Sequence, residues 1–160
     1  NIARDFFKTN SILHKNNILT DNRLQMEKLN IKYEGNLRNT IVHVRSNSEI
    51  ITDAPVDNNG KGSYFSPTDL LAASLASCIL TIIGIAAEKN GFSINGSTAD
   101  IEKHMQSNPR KVEEIAVNLQ LRSQEFDEKQ RQIIERAAKN CPVALTLGEN
   151  VKQRISFTYV

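Results

Sequence analysis

Apolar and polar positions alternate in short runs between Leu29 and Ala54. Leu29, Ile31 and Tyr33 are separated by polar residues, Ile41 to Arg45 is β-branched and half alternating, and Glu49 to Thr52 is a third short run. A period of two is the pleat of a strand, so this stretch predicts an antiparallel meander turning at Gly35-Asn36 and Asn47-Ser48. Pro55 to Ser63, with Asp57, Asn58, Asn59, Gly60 and Gly62, reads as a loop.

The pattern then changes. Ser66-Pro67-Thr68-Asp69 has the form of a helix start, with Ser66 as N-cap, Pro67 at the first helical position and Asp69 reaching back as the N3 acid. Asn90-Gly91 has the form of a stop. The roughly 23 residues between them would span about 35 Å. They are apolar on nearly every face, through Leu70, Leu71, Leu75, Ile79, Ile82, Ile83 and Ile85 among alanines. A helix apolar all round lies in a core or in a membrane. Ser74, Ser77, Cys78, Thr81 and Gly84 interrupt it, and it lacks an aromatic belt and a basic flank on one side, so a buried core helix is predicted.

Two long alternating stretches follow, Ser93 to Met105 and Val112 to Arg122, joined by Ser107-Asn108-Pro109-Arg110 and predicted to form a hairpin. Phe126-Asp127-Glu128-Lys129-Gln130 is a second capping box. The helix it opens runs to about Asn140 with Ile133, Ile134 and Ala137 on one face. Cys141-Pro142, Val143 to Leu147 and Gly148 come next, and Arg154 to Val160 alternates as a closing strand. Strands, helix, hairpin, helix and strand, without a βαβ run, predict an α+β fold with antiparallel strands around a long buried central helix plus a second helix. Residues 1–27, polar and rich in Asn, read as an N-terminal extension to a single domain over 28–160.

Composition narrows the partners. A net charge of +2, with basic residues scattered and not interleaved with aromatics, predicts no nucleic-acid and no membrane partner. The opening NIARDFFKTN carries charge and Asn where a secretory leader needs an apolar stretch, so a cytoplasmic location is expected. His14, His43 and His104 have no metal-ligand spacing, and phosphate-loop and Ser-His-Asp signatures are absent from the sequence.

The two cysteines carry the candidate chemistry, either as structural thiols or as a redox pair. Cys78 falls midway along the apolar helix, beyond reach of the helix dipole, where burial alone would keep it protonated and inert. To act as a nucleophile it needs a cation from elsewhere in the fold. Cys141 directly precedes Pro142, which can open a short helix, placing Cys141 at an N-cap position that favours an anion. The cysteines stand 141 − 78 = 63 residues apart, which excludes a CxxC motif.

FSPTDLLAASLASC at 65–78 resembles the central-helix motif of the OsmC/Ohr superfamily, and IIERAAKNCPV at 133–143 resembles its second-cysteine motif. YEGNLRNTIVHV at 33–44 and TDAPVDNNGKG at 52–62 look like the opening meander of its OsmC-like members. The likeness covers about residues 29–160. It implies an OsmC-type fold, an intertwined homodimer with active sites at the subunit interface, and central helices buried between two sheets. It also implies thiol-dependent reduction of organic hydroperoxides, and less readily of hydrogen peroxide, in stress defence. No metal or other cofactor is implied, and an external dithiol, protein-bound or free, would be the reductant. Carried over, Cys78 is the peroxidatic thiol, Cys141 the resolving thiol and Arg38 the thiolate-stabilising cation, with Arg45 as a second candidate. In the organic-hydroperoxide branch a Glu follows the motif Pro and pairs with the Arg. Here Thr68 holds that place and Asp69 comes one residue later, about 100° around the helix. Asp69 is thus either the replacement acid or only the helix cap. The departure leaves open an OsmC-fold stress protein that binds an apolar ligand without efficient turnover.

Overall fold

The computed structural model describes residues 28–122 and 126–160; the extension expected over 1–27 lies outside the described residues. Residues 29–53 form the expected meander of β1 (Leu29–Gly35), β2 (Arg38–His43) and β3 (Ser48–Asp53), paired antiparallel in that order. Gly35 turns the chain at φ 87°, a conformation that side chains resist. The register sets Ile31 opposite Ile41, and Ile41 opposite Ile50, so these residues share one face with Leu29 and Tyr33. That face stays open to solvent in the single chain, with Ile31 65% exposed.

The sheet connects to the body through the loop after Asp53. Thr52 bridges to Phe65, and the Asp53 N–H donates to the Phe65 carbonyl at 3.1 Å. Gly60 folds so tightly on the strand end that a Cβ there would collide with the Ala54 carbonyl, which explains a glycine in this loop.

Helix α1 (Pro67–Lys89) starts and stops where the sequence predicts. The Ser66 hydroxyl accepts from the Asp69 N–H at 3.1 Å, and the Asp69 carboxylate accepts from the Ser66 N–H at 2.7 Å. Leu75, Ile79 and Ile83 form its fully buried stripe, flanked by Ala72, Ala76 and Ala87. The opposite stripe of Ser74, Ser77, Thr81 and Ile85 is exposed. Ser74 and Thr81 return their hydroxyl protons to the helix carbonyls of Leu71 and Ser77. Within one chain the covered side of α1 is the one that carries the buried stripe.

A second sheet lies under that buried side, ordered β4 (Thr98–Ser107), β5 (Arg110–Leu121), β6 (Lys152–Tyr159). The hairpin β4–β5 is antiparallel, as its turn predicts. Its first strand begins later than the expected Ser93, because Ser93 to Ser97 form turns closed by Asn95 N–H to the Ser93 hydroxyl and Ser97 N–H to the Ile94 carbonyl. The closing strand departs from the all-antiparallel expectation, since β6 pairs parallel to β5. Two helices, α2 (Glu128–Lys139) and α3 (Pro142–Leu147), fill the connection and return the chain to the end where β5 began. Ile115, Val117, Leu119 and Leu121 of β5 meet α1, with Ile134 and Ala138 of α2 closing the same core. Phe126, entering α2, sits edge-on between Phe92 and Tyr159 at centroid distances of 5.9 and 5.8 Å.

Leu75 is 0% exposed at the centre of this core. Leu75→Ala should lower unfolding free energy by about 2–5 kcal/mol, measured by denaturant titration.

Candidate functional site

The two thiols meet within one chain. Cys141 is the N-cap of α3, with Pro142 at the first helical position, as the sequence suggests. Its carbonyl accepts from the Leu145 N–H at 3.0 Å, which fixes the start of the helix. α3 packs against α1, and this brings the fully buried Cys141 thiol beside half-buried Cys78. Burial pushes the Cys141 thiol up from its ordinary range, and the neighbouring Cys78 sulfur adds to the effect. The N–H groups of Val143 and Ala144 pull the other way without reversing it. Cys141 is therefore a protonated thiol at neutral pH, facing the sulfur of Cys78.

Arg38 stands apart from this pair. It opens β2, and its Nε and Nη2 donate to the two carboxylate oxygens of Asp53 at 2.6 and 2.8 Å. Arg38 and Asp53 are Cα partners across β2 and β3, so the ladder register itself aligns the fork with the carboxylate. The Tyr64 ring lies 4.7 Å from the guanidinium carbon. Asp53 is 3% exposed and also accepts from the Ser63 N–H at 3.2 Å. Arg38 and the Ser63 N–H hold its carboxyl below the usual range against the opposing effect of burial. Among the described residues Cys78 is not a contact of Arg38. Arg45 lies in the turn after β2 rather than in the strand.

Asp69 is occupied elsewhere. Besides capping α1, its Oδ1 accepts from Lys103 Nζ at 2.6 Å, and the same ammonium reaches the Thr68 hydroxyl at 2.8 Å and the Ser66 hydroxyl at 3.3 Å. Burial opposes ionisation of Asp69, but Lys103 and the Ser66 hydroxyl and N–H outweigh it, leaving the carboxyl below its ordinary range. The chain thus joins Cys78 to Cys141, Arg38 to Asp53 and Asp69 to Lys103, in three separate clusters.

Asp53 and Lys103 escape the sequence reading. Asp53 was within reach, because aligning the meander as a hairpin sets it opposite Arg38. For Lys103 only the hairpin's packing on α1 reveals the role.

A cleft of about 320 Å³ separates the first sheet from the start of α1, with Tyr33, Asn39, Pro67, Thr68, Met105 and Arg110 in its walls. Among the described residues no group of His, Cys, Asp and Glu is arranged to hold a metal. His43 Nδ1 shares a hydrogen with the Ser46 hydroxyl at 2.7 Å, His104 lies 3.7 Å from Glu102, and His14 is outside the described residues.

The profile of the OsmC-like protein family matches residues 60–156, and the chain belongs to that family. A solved protein from Psychrobacter arcticus, named for osmotic stress induction and detoxification response, is 45% identical, with 88% of this chain and 100% of that one aligned at a TM-score of 0.77. An OsmC-like protein from Mycoplasma pneumoniae shares the fold at 20% identity, covering 85% and 98% of the two chains with a TM-score of 0.72. An organic hydroperoxide resistance protein OsmC from Legionella pneumophila does so at 17% identity, covering 85% and 98% with a TM-score of 0.69. Among curated protein sequences nothing matches the chain.

Two outcomes follow. On brief exposure to iodoacetamide at neutral pH, peptide mapping should find Cys78 labelled well ahead of Cys141, whose thiol is buried and held protonated. In acid, the depressed carboxyls of Asp53 and Asp69 contribute stability that is present above the unfolded value near 4 and lost as pH falls through their lower folded values. Melting temperature should therefore drop below about pH 4, and Asp69→Asn should flatten that drop while costing about 1 kcal/mol of helix capping at neutral pH.

Proposed function

We propose that the protein is a thiol-dependent peroxidase that reduces organic hydroperoxides in peroxide-stress defence, with Cys78 as the attacking and Cys141 as the resolving thiol. The observation that carries this reading is the meeting of the two sulfurs where α3 packs against α1. Membership of the OsmC-like family supports the peroxide-stress role, and a hydroperoxide-resistance protein shares the fold.

The chemistry needs no bound cofactor. The Cys78 thiolate attacks the distal oxygen of ROOH; the O–O bond breaks, RO⁻ leaves and takes a proton as ROH, and Cys78 becomes a sulfenic acid. The Cys141 thiol then attacks that sulfur, a disulfide forms and water departs. A dithiol, free or protein-bound, reduces the disulfide and is itself oxidised to one. Half-buried Ile82, one turn on from Cys78, and exposed Ile85 give this side of the helix an apolar surface that suits alkyl or acyl hydroperoxides over small polar ones.

The acting unit is a homodimer in this reading. Arg38 does not touch Cys78 of its own chain, while the apolar face of the first sheet and the Ser74–Ile85 stripe of α1 are both exposed. A second copy laid on these faces covers them and lets Arg38 of the partner subunit stabilise the thiolate. The location is cytoplasmic, where a reduced thiol pool supports turnover.

A second reading, ligand binding without turnover, draws on Thr68 and on the engagement of Asp69 with Lys103 instead of Arg38. One experiment separates the two. Reduced protein receives one equivalent of cumene hydroperoxide, is thiol-blocked under denaturing conditions and is weighed intact. Loss of two hydrogens with no alkylation is expected, and Cys141→Ser should instead stop at a trappable sulfenic acid. Two fully alkylated thiols after exposure would transfer the protein to the binding class. Light scattering should give twice the chain mass; a monomer would remove the partner's Arg38 from the scheme.

A further inference from the structure

We infer that Asp53 is the carboxylate that positions Arg38 for the thiolate, so that the acid of this site comes from strand β3 and not from the start of α1. The inference rests on the proposed role of Arg38 toward Cys78. Asp69, the acid nearest the motif proline, is already committed: one oxygen takes Lys103 and the other takes the Ser66 N–H. Asp53 has the opposite character. Both its oxygens engage the guanidinium, along the edge formed by Nε and Nη2. That bidentate contact fixes the plane of the group, and Tyr64 stacks on its face. Nη1 is outside the Asp53 fork, so its donors are not spent on that carboxylate.

The support behind Asp53 is equally defined. The Ser63 N–H holds one of its oxygens, its own N–H is tied to Phe65, and the side chain is almost fully buried. Since Arg38 and Asp53 face each other in the β2–β3 register, the pair forms within a single sheet. The cation reaches the thiolate already oriented, which saves the ordering that a free Arg side chain would require. Asp53 is a positioning residue in this scheme and touches no reacting atom.

The test is the second-order rate of Cys78 oxidation by cumene hydroperoxide, followed by stopped flow with the full-length protein. Arg38→Ala should be slow. Asp53→Asn should be slow by about 10- to 100-fold, the usual cost of a misplaced catalytic group, and Asp53→Glu should fall between it and the unchanged protein. Added guanidinium chloride, below denaturing concentration, should speed Arg38→Ala but not the Arg38→Ala/Asp53→Asn double variant, because only the carboxylate can seat the small cation. A purely structural Asp53 would not govern that rescue. Asp53→Asn reacting at the unchanged rate beside a slow Arg38→Ala would overturn the inference, as would rescue that ignores Asp53. If Asp53→Asn does not fold, Asp53→Glu decides, and the unchanged rate there also overturns it. An Arg38→Ala variant as fast as the unchanged protein would instead refute the role of Arg38 itself.

Discussion

α1 carries a fully buried apolar stripe along its length, and the architecture answers to the constraint of covering it. The stripe of Leu75, Ile79 and Ile83 takes the sheet β4–β5–β6 and helix α2, which together supply the buried core. The other side, from Ser74 to Ile85, keeps small and hydroxyl-bearing residues, of which Ser74 and Thr81 return their protons to the helix itself. Such a surface tolerates water and also permits close approach of another backbone. Cys78 lies near the boundary between the two sides, half-buried and in contact with the core through Cys141.

The electrostatics are compartmented. Around the start of α1, buried Asp53 has Arg38 and half-buried Asp69 has Lys103. Neither acid is left to repel a thiolate, and neither cation is left to bind adventitious anions with full strength. Lys103 also ties the hairpin to the first turn of α1, so the helix start is fixed from outside as well as by its own capping box. Such division removes the need for a single residue at the motif position to serve both helix and site. Thr68 joins the same cluster, its hydroxyl accepting from the Lys103 ammonium at 2.8 Å.

Much of this was written locally in the chain. Both capping boxes, the Pro67 and Pro142 helix starts and the Asn90-Gly91 stop are short-range signals, and the structure honours each. The meander followed from its period of two. The parallel pairing of β6 was not legible, because alternation marks a strand without naming its neighbour or direction. The pairing of Asp69 with Lys103 was illegible for a related reason, although the Asp69 cap was not: the 2.6 Å contact spans 34 residues and depends on how the hairpin lies across α1. The Cys78–Cys141 meeting was implied only by resemblance, since nothing in the spacing of 63 residues sets it. Arg45 failed as a strand candidate because the turn claims Val44 to Asn47.

The parallel crossover has a consequence for biogenesis. β1–β3 and β4–β5 join neighbours in sequence and can assemble as soon as each hairpin is complete. β6 must first close a long loop containing α2 and α3, an entropic toll that local hairpins escape. During synthesis, Cys78 emerges 63 residues ahead of Cys141, and the last strand emerges later still. The nascent chain passes through an interval with one thiol and no neighbour, which ends only when α3 packs against α1.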